Sequence, residues 1–183
     1  MNYFVWRLPK DDFDFVDYDI TKGLLRQGWG TPGLDVHNDY ETFKEKWLWG
    51  TPGCEISYKR LKEMLKIKKD DIVIIPNFVS GIEGYQVHGF TIGYCTREYE
   101  FIDGIDCEDY IDTIDTKTGE PIKIQRVDYG HSIEVHLICS CIYNERSSFL
   151  AKLNGYRKRV SKVDINAQYN EKFIKTINNI IGY

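Results

Sequence analysis

The sequence holds no apolar run approaching the roughly 18–20 residues that cross a bilayer as a helix, which excludes a helical membrane span. Its opening, MNYFVWRLPKDD, has no apolar h-region, so no secretory signal is expected and the compartment is read as cytoplasmic. There is no CxxC pair. The five cysteines are an odd number and read as free thiols in a reducing compartment, with no zinc site and no metal. Basic residues are not in excess: 24 Lys and Arg stand against 28 Asp and Glu, a net charge of −4, which excludes a general nucleic-acid coat. No Walker GxxxxGK[ST], HNH or PD-(D/E)xK pattern occurs. Neither His88 nor His131 has a paired Ser, Cys or carboxylate at motif spacing, so no enzyme activity and no cofactor are expected. Strands and helices do not alternate as βαβ units, which argues against a parallel Rossmann-type sheet.

What is present is aromatic. Three of the four tryptophans (Trp29, Trp47 and Trp49) fall between Gly28 and Gly53, around the repeated segment WGTPG. Gly, Thr and Pro beside a tryptophan read as turns. The rings either fill a core or line a pocket. The charge is also uneven. Lys152–Lys162 (KLNGYRKRVSK) carries five basic residues and no acid, whereas Asp103–Asp115 (DGIDCEDYIDTID) is acidic.

Periodicity supplies the elements. Tyr3–Arg7 reads as a short strand and Ile20–Gln27 as a short helix stopped by Gly28. Asn38–Trp47 reads as a helix capped by Asn38 or Asp39, with Tyr40, Phe43 and Trp47 on one face. Ser57–Lys66 reads as a Ser-capped helix. Ile72–Ile75 is a branched run expected to be buried on both faces. Gly81–Gly84 reads as a hairpin turn, Tyr85–Cys95 as a strand with Gly89 and Gly93 at a bulge, bend or close backbone approach, and Glu98–Ile102 as a further strand. Asp103–Glu120 is expected to be a polar loop. Pro121–Tyr129 and Ser132–Ile138 read as strands, Ser147–Leu153 as a helix, and 165–181 as a C-terminal helix ended by Gly182. Together these predict one domain over residues 1–183, of α+β class, with a small bent antiparallel or mixed β-barrel surrounded by helices.

In order, YFVWR, RQGWG, IKKDDIVIIPN, GFTIGYCTREYEF, VDYGHSIEVHLI and SSFLAKLNGYRKRVSKVDINAQY resemble segments of the PUA-like superfamily, in its EVE/YTH-like branch. The likeness is greatest to reader domains of modification-dependent restriction systems of the Mrr and McrB type. It covers most of the chain. Two positions depart from the family pattern: Asp70-Asp71 stands where Gly-Asp is usual, and His136-Leu137 replaces a usual Trp.

The resemblance implies a non-catalytic binding module that recognises modified or flipped nucleobases through an aromatic pocket. A flipped base must be re-stacked and hydrogen-bonded at its edge. The nucleic acid is DNA in preference to RNA. The setting is bacterial defence against foreign DNA, and any nuclease or NTPase belongs to a separate partner chain, with no membrane involved. Candidate base-contacting residues are Trp29, Trp49, Trp47, Tyr94, Tyr99, Asn77 and Asp103. Helical spacing alone also explains Trp47, and loop capping also explains Asn77. Candidate phosphate contacts are Arg126, His131, Arg157, Lys158, Arg159 and Lys162. The rival reading is a protein-interaction or regulatory subunit of the same fold, with no nucleotide pocket and with tryptophans as interface anchors.

Overall fold

The structure, a computed structural model, describes residues 1–8, 20, 22–27, 33–47, 51–82, 86, 88–102, 110–114, 120–125, 130–143 and 148–183. In chain order its elements are β1 (Tyr3–Trp6), β2 (Leu24–Gln27), α1 (Tyr40–Glu45), α2 (Thr51–Leu61), a 3₁₀ turn (Lys62–Lys66), β3 (Ile72–Pro76), β4 (Gly89–Phe101), β5 (Tyr110–Ile114), β6 (Pro121–Gln125), β7 (His131–Ile142), α3 (Ser148–Gly155), β8 (Val160–Lys162) and α4 (Gln168–Ile181). Six strands form one sheet in the order β2-β7-β4-β3-β1-β8, and β5 and β6 form a separate pair. The class is α+β, with a curled, mixed half-barrel sheet in place of the expected barrel. The order runs from β2 to β8 without returning on itself, so these two are edges among the described residues.

The chain packs as two compact units. One comprises Met1–Leu25, Glu63–Tyr99 and Ile133–Tyr183; the other comprises Arg26–Lys62 and Glu100–Ser132. In the first unit, β1 and β3 consist of aromatic and branched residues, apart from Pro76 at the end of β3, and are buried along their whole length. That is the condition under which a strand reads as a continuous apolar run. β1 pairs parallel with β3 and antiparallel with β8, and β3 pairs antiparallel with β4. On one face, Tyr3, Val5, Ile72, Ile74, Phe90 and Ile92 pack with Leu150 and Leu153 of α3 and with Phe173 and Ile177 of α4. Phe173 and Ile177 are four apart, hence on one helix face. The Tyr3 hydroxyl donates to Asn178 Oδ1 at 2.6 Å, tying α4 to β1. Gly182, at φ 78, ends the helix in the left-handed conformation, as the sequence predicts.

The close approach expected at Gly93 is present. A Cβ there would lie 2.7 Å from the His136 carbonyl oxygen, a backbone atom that cannot swing away. Gly93→Ala is therefore expected to destabilise the protein by about 1–3 kcal/mol. A urea midpoint unchanged from the parent would refute the contact.

In the second unit, Asp39 caps α1 by accepting from the Thr42 N–H at 2.9 Å, which holds its carboxyl below the usual carboxylate range. Phe43 is buried, and its ring lies 5.0 Å from Tyr58 of α2. The Tyr58 hydroxyl donates to the Asn38 carbonyl at 2.7 Å.

Several elements differ from the sequence reading. Leu24–Gln27 is a strand and not part of a helix. Gly23 precedes it at φ 80, outside helical geometry, and its carbonyl accepts the Val135 N–H at 2.7 Å. α2 starts at Thr51, six residues before the expected Ser57. Pro52 then occupies the first turn, where its fixed φ suits the helix and its missing N–H costs nothing. Thr51–Gly53, read as a turn, is thus helical. The two strands expected around Cys95 and Glu98 are one strand of 13 residues. Part of the expected polar loop is β5, paired antiparallel with β6. Helix 165–181 begins at Gln168, and β8 lies within the basic run.

Candidate functional site

The basic run does not form a single smooth face. α3 ends at Gly155, and residues 156–159 lead into β8. Arg7, just past β1, fixes this connection from the sheet side. Its amide donates to the Arg159 carbonyl at 2.7 Å, and its guanidinium donates to the carbonyls of Asn154 and Tyr156, both at 3.2 Å. With the backbone held this way, Tyr156, Arg157, Lys158, Ser161 and Lys162 line one groove of about 480 Å³.

Its electrostatics are one-sided. Arg157, Lys158 and Lys162 are exposed. None of the three makes an ion pair among the described residues. The single acidic side chain in the lining, Glu63, is bonded to Lys66 at 2.6 Å. Tyr156 is half-buried, and burial, with Tyr169 and Asp164 adding to it, pushes its phenol up from its usual range. It therefore stays a neutral donor at neutral pH, and its hydroxyl sits 3.4 Å from Asn170 Oδ1. Three cations, a neutral phenol and a serine hydroxyl suit an anion with several acceptor oxygens, such as phosphate.

Of the six residues expected to contact phosphate, Arg157, Lys158 and Lys162 thus come together. Arg159 is half-buried in the same connection. His131 is fully buried, with its ring 4.9 Å from Phe101, so it presents nothing at a surface. Arg126 lies outside the described residues.

The residues expected to contact a base are dispersed. Trp29, Trp49 and Asp103 lie outside the described residues. Trp47 is half-buried and stacks on Phe43 at 5.8 Å, the packing that helical spacing implies. Tyr99 is 8% exposed. Asn77 is 4% exposed, has φ 63, donates its N–H to the Gly89 carbonyl at 2.8 Å and accepts from the Gln86 N–H at 2.9 Å, a loop-capping role. Tyr94 lines an open groove of about 500 Å³, with Asp70, Ile72, His136 and Ile138. The sequence reading missed Tyr156 and Ser161 in the first groove and Asp70 and His136 in the second. Tyr156 was visible as the ring inside the basic run, and Asp70 as the departure from Gly-Asp.

Among the described residues no three His, Cys, Asp or Glu side chains gather as metal ligands. Burial pushes the Cys95 thiol up to about 11, and burial likewise raises Cys139 and Cys141. These thiols are therefore protonated and weakly nucleophilic at neutral pH. No described helix is long and apolar enough to cross a membrane.

No known family profile matches the chain, and no curated protein does. A solved structure described as a hypothetical protein from Leishmania major is similar at 13% identity with a TM-score of 0.42, over 100% of this chain and 98% of that one.

Proposed function

We propose that the protein is a non-catalytic nucleic-acid-binding module whose basic groove holds backbone phosphates while aromatic side chains take a modified or flipped base. The supporting observation is the convergence of Arg157, Lys158 and Lys162 around Tyr156 in a protein of net charge −4. A cationic groove on an acidic body concentrates attraction at one place, and thereby sets register as well as affinity. In this reading DNA is the ligand, and any cleavage or NTP hydrolysis belongs to a separate chain.

The test is duplex binding across a salt series, with base-modified and unmodified DNA, for the parent and for the triple variant Arg157→Ala, Lys158→Ala, Lys162→Ala. Each phosphate contact contributes close to one unit to the slope of log affinity against log salt. The triple variant is expected to lose about two to three units of slope on both DNAs. A Trp29→Ala variant is expected to lose the preference for the modified duplex and keep the slope. Equal affinity and slope for parent and triple variant would sink the phosphate groove. No preference between the duplexes in the parent would sink the base reading.

A further inference from the structure

A cleft of about 180 Å³ lies between α3 and α4, within the first unit. Ser148, Phe149 and Lys152 line it from α3, and Tyr169, Lys172, Phe173 and Thr176 from α4. The α4 set falls at i, i+3, i+4 and i+7, so it is one stripe of that helix. The floor is aromatic and fixed. Phe149 and Phe173 stack at 4.9 Å, Phe149 lies 5.1 Å from Phe90 of β4, and Phe173 is buried.

Over this floor stands Lys152, which is half-buried. Its ammonium lies 4.8 Å from the centre of the Tyr169 ring and 5.9 Å from that of Phe173, and it donates to the Tyr169 carbonyl. No carboxylate faces it. The lining holds no Asp or Glu, and neither Lys152 nor Lys172 makes an ion pair among the described residues. The more exposed Lys44, Lys59, Lys66 and Lys68 each pair with a glutamate. The lysine whose charge is harder to keep is thus the one left without an anion. Burial accordingly holds the Lys152 amine below the usual lysine range.

We propose that this cleft binds a small carboxylic acid carrying one aromatic ring, with the ring against Phe149 and Phe173 and the carboxylate between the Lys152 and Lys172 ammonium groups. A carboxylate at Lys152 offsets the cost of holding that charge away from water, and its hydrogen bonds there are charge-assisted. The Thr176 hydroxyl already donates to the Lys172 carbonyl at 2.8 Å, which leaves the Ser148 hydroxyl as a further donor. The aromatic floor rewards a ring, which inorganic phosphate lacks. The volume lies below the range of about 300–1,000 Å³ that drug-sized ligands occupy, so the ligand has one ring and not two. The cleft shares no lining residue with the basic groove.

The test is NMR chemical-shift titration of the full chain with phenylacetate, phenylacetamide and acetate at constant ionic strength. Phenylacetamide keeps the ring and loses the charge; acetate keeps the charge and loses the ring. Phenylacetate is expected to bind about tenfold or more tightly than either, and to move the amides of residues 148–152 and 172–176. Lys152→Gln keeps most of the stem over the rings and is expected to weaken phenylacetate about tenfold. Lys172→Gln removes an exposed charge and is expected to cost about two- to fivefold. The triple variant of the basic groove is expected to bind phenylacetate as the parent does, which separates this cleft from the phosphate groove. Phenylacetamide or acetate binding the parent as well as phenylacetate, no binding of any of them, or displacement of phenylacetate by inorganic phosphate would overturn the proposal. So would a Lys152→Gln variant that keeps the parent melting temperature and the parent affinity.

Discussion

Phe173→Ala is expected to lower the unfolding free energy by about 3–5 kcal/mol. Phe173 is 2% exposed on the inner face of α4. Its ring stacks on Phe149 at 4.9 Å, with an angle of 14° between the planes, and lies 6.1 Å from Tyr156. Truncation removes the transfer free energy of the ring and leaves a cavity among the side chains of β1, α3 and the sheet. The Tyr3–Asn178 hydrogen bond holds α4 at its far end, so the helix cannot slide to fill the gap. Urea unfolding followed by fluorescence reads the loss as a lower midpoint with an unchanged slope. Phe173→Leu keeps most of the volume and is expected to cost about half as much. A loss under about 1 kcal/mol for the alanine variant would mean that α4 does not cover the core as described.

The second large effect is expected at Asp71. This carboxylate is 2% exposed and joins the start of β1 to the turn before β3. It accepts from the Asn2 amide at 2.7 Å, from the Asn2 side chain at 3.1 Å and from the Lys68 amide at 3.0 Å. Asp71→Ala leaves two backbone donors without their acceptor, at roughly 1–3 kcal/mol for each one kept from water. Lys68 is exposed and regains part of its loss from solvent, so the expected cost is about 2–4 kcal/mol. Asp71→Asn retains one acceptor oxygen and is expected to fall between the parent and alanine. Native-state hydrogen exchange locates the effect: the amides of Asn2 and Lys68 should lose protection ahead of those in α4. Uniform loss across the molecule would assign Asp71 a general role in place of this local one.

These two residues also show what the sequence discloses. Phe173 is legible because helical spacing puts it with Ile177 and Ile180, and Gly182 marks the end of the helix. The buried run Ile72–Ile75 and the cap at Asp39 are legible for the same local reason. Asp71 is not, because its partner Asn2 is brought to it by the pairing of β1 with β3, and only the contact with Lys68, three residues back, is local. The parallel match of β1 to β3 is likewise non-local, and no spacing rule reports it. β2 was hidden because a leucine-rich stretch of a few residues suits helix or strand equally, and only the left-handed Gly23 decides. β8 was hidden in a basic run, where three residues give no period. In the groove, the cations were visible as composition. Their convergence depends on Arg7 bracing the connection after α3, a contact between opposite ends of the chain. Asp70 looked like a simple change of turn residue. Its left-handed backbone emerges only in three dimensions.

The position of β1 in the sheet bears on how the protein is made. β1 is made well before its two neighbours, β3 and β8. Its parallel partner exists only after Ile72 has been synthesised, and its other partner only after Val160. Until Val160 has been made, the nascent chain therefore carries Tyr3–Trp6 as an aromatic strand with at least one bare edge, the kind of segment that seeks pairing elsewhere. The sheet is therefore completed on this side only once residues 160–162 have been made.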